Sequence, residues 1–239
     1  MDAALQDALR QFLEDDQRRT SALISSGYQG SAYLYESGDT KLVIKEAAGG
    51  ALAGWFHRLM LRREAHVYQL LGDLPGVPHS PGMLDDTYLL LEFIDGESMK
   101  EARHGLTDPP AFYDRLREVI SSFHALGIAH GDLKRKDNVL VTPDERPVVI
   151  DFGTAVTRDR SLFDRLFFRL VRRIDYNAWI KNKYDGDYDA ITAEDLRWYR
   201  PSIVENAFRQ LQRFWRAITF RQARKRRRRA RQQSERDSG

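Results

Sequence analysis

The chain has 239 residues, of which 42% are hydrophobic and 31% charged, so it is long enough for a globular domain and is not a disordered protein. It contains no cysteine, which excludes disulfides and cysteine-ligated zinc, and no apolar run of about 18 residues, which excludes a membrane-spanning helix. The net charge of +3 is unevenly distributed: residues 221–231 hold eight Lys/Arg and no acid, and the remainder sums to about −5.

The first predicted element is an amphipathic N-terminal helix over residues 1–20 that packs on the body of the protein. Its apolar face consists of Leu5, Leu9, Phe12 and Leu13. The segment is acidic and lacks the basic and apolar layout of a secretory signal. We therefore expect a cytoplasmic protein, with peripheral binding at the inner face of a membrane as the alternative.

The residues that follow have the composition of β-strands joined by glycine turns. Gly27 and Gly30 lie in the first turn, Gly38 lies in the second, and a third strand ends in Val43-Ile44-Lys45. Glycines in such a turn let backbone N–H groups come close to phosphates. An ordinary hairpin explains the same two glycines equally well.

Val43-Ile44-Lys45 resembles the V-A-I-K strand of kinases, in which the lysine binds phosphates and is held by a glutamate. The resemblance implies such a partner for Lys45, and Glu64 is the favoured one. Glu64 lies in a predicted helix over residues 62–71 that ends at Gly72. Glu46 follows Lys45 directly in the strand and therefore points to the opposite face. The alternative is a surface lysine and a separately solvated glutamate.

Two further elements precede the centre of the sequence. The apolar run from Thr87 to Ile94 predicts a buried strand. Asp108 and Pro109 predict the N-cap and first position of a helix that continues to Leu126.

The stretch from His130 to Gly153 carries the residues suited to chemistry. It runs H-G-D-L-K-R-K-D-N-V-L-V, then a turn, then V-V-I-D-F-G. Phosphate transfer from ATP requires a carboxylate that orients the attacking hydroxyl, a cation near the phosphate and two oxygen ligands for Mg²⁺. One residue is present for each requirement: Asp132, Lys134, Asn138 and Asp151.

This stretch resembles the catalytic loop and metal-binding segment of the protein-kinase-like superfamily. Over residues 22–200 the chain resembles the small atypical branch: the RIO kinases, the kinase of the KEOPS complex and the bacterial lipopolysaccharide core kinases, including the Kdo kinases. The resemblance implies an α+β, bilobal kinase-like fold with ATP and Mg²⁺ as cofactors. A small antiparallel-sheet N-lobe would span residues 21–96, and a reduced helical C-lobe residues 97–200. Beyond the resemblance, the sequence of residues 201–239 predicts an extra basic C-terminal helix followed by a basic tail.

The resemblance also implies roles for individual residues. Asp132 would orient the acceptor hydroxyl, Lys134 would neutralise the γ-phosphate, and Lys45, held by Glu64, would grip the α- and β-phosphates. Asn138 and Asp151 would bind Mg²⁺. The nucleotide would further contact Gly27, Gly30, the gatekeeper Leu91 and the hinge residues Glu92, Phe93 and Ile94.

The chain departs from the family pattern in its catalytic loop. Asn138 follows Asp132 by six residues rather than the usual five or so. Either the loop bulges or Asp137 takes the metal position, and the apolar strand directly after Asn138 favours the first. Gly131 replaces the arginine of H-R-D, which predicts the absence of control by a phosphorylated activation loop. Asp175, in a later helix, would hold the backbone of the catalytic loop.

Three functions stay open at this point. The first is an atypical serine/threonine protein kinase of RIO-like type. The second is a lipopolysaccharide sugar kinase at the inner membrane face, favoured by the apolar and arginine-rich residues 162–171. The third is a pseudokinase scaffold. The basic segment Arg221–Arg231 is either a solvated end or a contact for an anionic membrane surface or, less favoured, for RNA.

Overall fold

The computed structural model describes residues 1–26, 30–47, 51–158 and 161–200. Gly27, the predicted C-terminal helix over residues 201–239 and the basic segment Arg221–Arg231 lie outside the described residues. The described helices are α1 (Ala3–Glu14), α2 (Asp16–Ser21), α3 (Ala51–Leu71), α4 (Met99–Ala102), α5 (Pro109–Ala125) and α6 (Leu162–Lys183). The described strands are β1 (Leu23–Ser26), β2 (Gly30–Ser37), β3 (Thr40–Ala47), β4 (Gly82–Leu84), β5 (Tyr88–Glu92), β6 (Glu97–Ser98), β7 (Ile128–Ala129), β8 (Val139–Val141), β9 (Pro147–Val149) and β10 (Val156–Thr157).

Five strands form an antiparallel sheet in the order β1-β2-β3-β5-β4. The β2–β3 hairpin turns at Gly38, as predicted, and Gly38 has the positive φ of +56° that this turn requires. Strand β3 lies beside β5, with Lys45 opposite Leu89. The sheet therefore holds Lys45 in its centre rather than at an edge.

The predicted N-terminal helix is two helices in the structure, which break at Asp15. Asp15 is non-helical, and its carboxylate accepts hydrogen bonds from Gln17 N and Arg18 N, so it caps the start of α2. The apolar face of α1 packs on the sheet as expected. The core formed there contains Leu9, Phe12, Leu13, Tyr33, Tyr35, Leu42, Ile44, Leu84 and Leu90.

Helix α3 begins at Ala51 and is therefore eleven residues longer at its N-terminus than the predicted helix over residues 62–71. The added part carries Trp55, Phe56 and Leu59, which are each at least half exposed. A prediction from helical periodicity assumes that apolar side chains share a buried face, and this segment violates that assumption. The C-terminal half of α3 has a buried face, which includes Ala65 and Tyr68.

The second half of the chain is mainly helical. Helix α5 starts as predicted, since the Asp108 carboxylate accepts a hydrogen bond of 3.0 Å from Ala111 N. Helix α6 buries Ala178, Trp179 and Ile180. Two small antiparallel sheets, β6-β8-β9 and β10-β7, carry the loops between these helices.

The result is the α+β architecture that the sequence predicts, with one antiparallel sheet followed by a helical part. Residues Met1–Trp198 form one compact unit, and Tyr199–Gly239 form a second that lies almost wholly outside the described residues. The predicted division into lobes at residues 96 and 97 falls within the first unit and stays a prediction. In the part of the chain that the structure describes, no helix has the length and apolar character needed to cross a membrane.

Candidate active site

The β8–β9 hairpin brings the two ends of the central stretch together. A 3-10 turn over Lys136–Asn138 leads into β8, and β9 returns to Asp151. Ile150 N donates a hydrogen bond of 3.0 Å to Asn138 O. Asn138 and Asp151 thus leave the same end of one hairpin.

Lys45, Glu64 and Asp151 form an ionic cluster although they come from three separate elements. Lys45 Nζ lies 2.7 Å from Glu64 Oε1 and 3.1 Å from Asp151 Oδ1. Glu64 is 5% exposed and sits on the buried side of α3, whereas the Asp151 side chain is about half exposed. The predicted pairing of Lys45 with Glu64 is present.

The charges in this cluster stabilise one another. Burial alone would lower the pKa of Lys45, but Glu64 and Asp151 raise it above its ordinary value. Burial would also raise the pKa of Asp151, yet the attraction of Lys45 holds it below its ordinary range. Burial raises the pKa of Glu64, and the ammonium group of Lys45, 2.7 Å away, opposes that rise. Asp151 is therefore an anion suited to a metal ion.

The backbone at Asp151 is held in an uncommon conformation. Its φ of 65° and ψ of 69° lie in the left-handed region, where residues other than glycine are infrequent. Asp151 N donates to the Tyr68 hydroxyl at 3.3 Å. Phe152 packs with its ring centroid 4.8 Å from that of His130 and 5.4 Å from that of Tyr68. The buried Phe152 ring thus secures the turn that presents Asp151.

Asn138 is tied to Asp132. Its side-chain Nδ2 donates to Asp132 O at 3.0 Å and to Asp132 Oδ2 at 3.3 Å, and Asn138 is buried whereas Asp137 is exposed. The extra residue of the loop is absorbed by the turn, in which Arg135 N donates to Asp132 O and Asn138 N to Arg135 O. With its amide nitrogen engaged, Asn138 has its amide oxygen to offer as a metal ligand.

Asp175 holds the start of the catalytic loop, as predicted. Its carboxylate is fully buried and accepts hydrogen bonds of 2.8 Å from both His130 N and Gly131 N. His124 Nε2 lies 3.0 Å from the same carboxylate. Burial lowers the pKa of His124 despite this contact, so His124 is a neutral donor at neutral pH.

Gly131 is the residue that the loop geometry requires. Its φ is +85°, and a Cβ at this position would lie 3.3 Å from the Thr154 carbonyl oxygen. An arginine here, as in the H-R-D form of the motif, would be strained. The glycine therefore follows from how the loop passes the turn after Asp151.

Several of these residues line one cleft with a volume of about 670 Å³. Gly30, Lys45, Glu64, Asp132 and Asp151 all line it, and so does Arg135, which the sequence did not single out. The exposed Lys134 and the buried Asn138 are not among the described residues that line the cleft.

Comparison with known proteins shows to which family the chain belongs. A family model for the RIO domain matches residues 55–185, which is more than half of the chain. The chain belongs to the RIO domain family. The match begins within α3 and ends just after α6, so Glu64, Asp132, Asn138 and Asp151 lie inside it, whereas Lys45 precedes it.

Two similar proteins are named as serine/threonine kinases. The RIO domain chain is 32% identical over 103 residues to the serine/threonine-protein kinase rio2 of Schizosaccharomyces pombe and 30% identical over 97 residues to the serine/threonine-protein kinase RIO2 of Caenorhabditis elegans. Each match covers 41% of this chain. The chain spans 28% of the first relative's length and 18% of the second's.

Two backbone N–H groups of the predicted hinge of the RIO domain already donate hydrogen bonds within the protein. Leu91 is 5% exposed, Glu92 N donates to His79 O at 2.8 Å, and Phe93 N donates to Lys41 O at 3.3 Å. None of Leu91, Glu92, Phe93 and Ile94 is among the described residues lining the cleft. Their contact with nucleotide stays a prediction.

The fold requires a glycine at position 30 for a reason that is independent of phosphate binding. It opens β2 opposite Ala47, and a Cβ there would collide with the Glu46 carbonyl oxygen. The close approach of β2 and β3 thus requires glycine whether or not a phosphate lies nearby.

Proposed function

We propose that this chain is an atypical serine/threonine protein kinase of RIO type, which transfers the γ-phosphate of ATP to a hydroxyl group. The observation that carries the proposal is the convergence of Lys45, Glu64, Asp151 and Asp132 on one cleft. Membership of the RIO domain family and the kinase names of two relatives support it. Residues 21–96 and 97–200 would be its two lobes, and the cytoplasm its location.

Mg²⁺ suits the oxygen donors of Asp151, which lines the cleft, and of Asn138, which contacts the cleft residue Asp132. Asn138 and Asp151 would hold the ion through an amide and a carboxylate oxygen, which suits a hard cation. A bound Mg²⁺ would supply positive charge that offsets the negative charge of the ATP phosphates.

Lys45 would bind the α- and β-phosphates. Its raised pKa keeps the ammonium group charged throughout the neutral range, and Glu64 fixes its position from the buried side. Gly30, which lines the same cleft, would lie near the phosphates. Gly27 lies outside the described residues, and its contact with the phosphates stays a prediction.

For adenine, Ile94 N–H is the hinge donor that we favour. The N–H groups of Glu92 and Phe93 already donate to His79 O and Lys41 O. Leu91 would contribute apolar contact at the gatekeeper position.

Asp132 would orient the acceptor hydroxyl. Its backbone N donates to His130 Nδ1 at 3.2 Å, and Asn138 Nδ2 contacts both its carbonyl and its carboxylate. A carboxylate positioned in this way accepts a hydrogen bond from the hydroxyl and receives its proton as the phosphate is transferred.

The cation that neutralises the γ-phosphate is assigned to Arg135 in preference to Lys134. Arg135 lines the cleft together with Asp132 and Asp151, whereas Lys134 does not. Arg135 also helps to lower the pKa of Asp151, although Lys45 and His130 contribute more and burial acts in the opposite direction. We infer that the one-residue insertion in the loop would account for this change by bringing the next cationic side chain to the cleft.

Two alanine variants test this assignment. Arg135→Ala is expected to lower kcat about 10- to 100-fold, since a charge-assisted contact to a phosphate contributes about 1.5–3 kcal/mol. Lys134→Ala, the matched control on the neighbouring exposed residue, is expected to change kcat by less than about threefold. A larger loss in Lys134→Ala than in Arg135→Ala would restore the original assignment of Lys134.

The acceptor is tested by the fate of labelled phosphate. The purified chain is incubated with ATP labelled in the γ-phosphate, alone, with a protein extract and with a membrane extract, each with Mg²⁺ or with a chelator. Label that enters protein, and only with Mg²⁺, is the expected result. Label that enters lipopolysaccharide sugar would select the alternative acceptor. Tight ATP binding with no transfer to any acceptor would identify a pseudokinase.

The binding partner of the basic segment Arg221–Arg231 is a separate question from the phosphate acceptor. An anionic membrane surface is favoured over RNA as its partner, because no aromatic residues suited to base stacking accompany the arginine cluster.

A further inference from the structure

The N-terminal half of α6 carries an exposed apolar face. Phe163, Leu166, Phe167 and Leu170 recur at helical spacing and are 74%, 66%, 45% and 49% exposed. The rings of Phe163 and Phe167 stack with their centroids 6.3 Å apart. We call these four residues the α6 stripe. Scattered exposed apolar residues are normal, but a contiguous row of four large ones on one helix face indicates a contact surface.

The helix that carries the stripe is fixed to the body by a different face. Phe168 and Val171 are 2% and 5% exposed and pack with Ala129 and Val156. One turn later Asp175 is fully buried at the catalytic loop. The stripe is therefore not the core side of α6, and it cannot be buried by rotating the helix without breaking these contacts.

A row of arginines lies next to the stripe. Arg165, Arg169 and Arg172 are exposed and also recur at helical spacing. The carboxylate of Asp164, the acid in this half of the helix, accepts a hydrogen bond from the Ser161 hydroxyl at the N-cap. The outer surface of α6 thus combines large apolar side chains with an adjacent row of positive charge.

We propose that the α6 stripe docks on an anionic lipid bilayer, with its Phe and Leu side chains at the level of the headgroups and Arg165, Arg169 and Arg172 on lipid phosphates. A helix lying in a membrane interface has this composition: aromatic and leucine residues on one face and basic residues beside them. Guanidinium groups donate in pairs to phosphate oxygens, and the stripe supplies the apolar burial that charge alone does not.

This surface is separate from the cleft and does not rest on phosphate transfer. It also differs from the basic segment at the C-terminus, because it predicts insertion of apolar side chains rather than attraction by charge alone. Salt separates apolar insertion from attraction by charge. About 0.5 M salt shortens the screening length to a few ångströms, which weakens surface electrostatics but leaves apolar insertion intact.

The absence of cysteine allows a direct test on the full chain. Leu166→Cys places a unique thiol on the stripe, and Leu70→Cys places one at the end of α3, where the native leucine is 46% exposed. Each is labelled with a fluorophore whose emission rises in apolar surroundings and is mixed with vesicles of phosphatidylglycerol and phosphatidylcholine in equal parts. The emission at position 166 is expected to rise severalfold and to shift to the blue, and the emission at position 70 to stay unchanged.

A second measurement compares binding without a label. The double variant Leu166→Gln/Leu170→Gln is expected to partition onto the same vesicles at least about tenfold more weakly than the parental chain in 0.5 M salt, because it removes two apolar side chains from the contact. Leu70→Gln is the control and is expected to bind like the parent. All changed side chains are about half exposed or more, so the fold does not depend on them.

Three outcomes would overturn the proposal. Vesicle binding with no response at position 166 would assign the membrane contact to another part of the chain. Equal responses at positions 166 and 70 would indicate non-specific adsorption. A blue shift that needs no vesicles and grows with protein concentration would show that a second copy of the chain covers the stripe.

Discussion

Replacement of Asp132 by alanine is expected to lower the rate of phosphate transfer about 10²- to 10⁴-fold, the range that a positioned general base contributes. ATP binding is expected to stay close to that of the parent, because Lys45, Glu64 and Asp151 do not depend on the Asp132 side chain. The loop is expected to persist, since Asn138 keeps its 3.0 Å hydrogen bond to the backbone carbonyl of residue 132. Transfer is measured with γ-labelled ATP, and binding by titration with Mg-ATP.

The matched control is Asp137→Ala. Asp137 is an exposed carboxylate in the same loop and does not line the cleft. Its removal is expected to leave both binding and transfer close to parental values. Transfer at the parental rate by Asp132→Ala would remove Asp132 from the reaction, and a large loss in Asp137→Ala would reopen the choice between Asn138 and Asp137 as the metal ligand.

Replacement of Asp175 by alanine is expected to lower the free energy of unfolding by about 2–4 kcal/mol, since it leaves the buried His130 N and the half-buried Gly131 N without an acceptor, and a buried unpaired donor costs about 1–3 kcal/mol. Urea unfolding measures this loss through the shift in midpoint. Where the variant still folds, transfer is also expected to fall, because the backbone that presents Asp132 is no longer held.

Asp175→Asn separates charge from hydrogen bonding. The amide keeps one oxygen acceptor, so we expect a loss of stability between those of the parent and the alanine variant. Asp164→Ala, on the same helix but near its exposed N-terminus, is expected to cost about 1 kcal/mol or less. A loss below about 1 kcal/mol in Asp175→Ala would contradict the role of Asp175 in holding the catalytic loop.

Local patterns were the ones that the sequence predicted well. The hairpin that joins Asn138 to Asp151, the β2–β3 turn at Gly38 and the Asp108 cap of α5 are each specified by residues close together in the chain. The anchoring role of Asp175 was also predicted. The start of α3 was not predicted, because its exposed apolar residues do not follow the periodicity of a helix with one buried face. The break at Asp15 was not predicted either, because the apolar pattern does not show that the Asp15 side chain caps a new helix.

The sequence by itself determined the chemical groups of the site and the family to which they belong, since the stretch from His130 to Gly153 carries them at nearly fixed spacing. Tertiary structure decided which groups meet. It joined Lys45 to Asp151 across 106 residues, brought Arg135 rather than Lys134 to the cleft, and left the α6 stripe uncovered. The physical reason is the same in each case: packing and buried hydrogen bonds between distant elements set the direction of a side chain, and these are not encoded in the periodicity of any one segment.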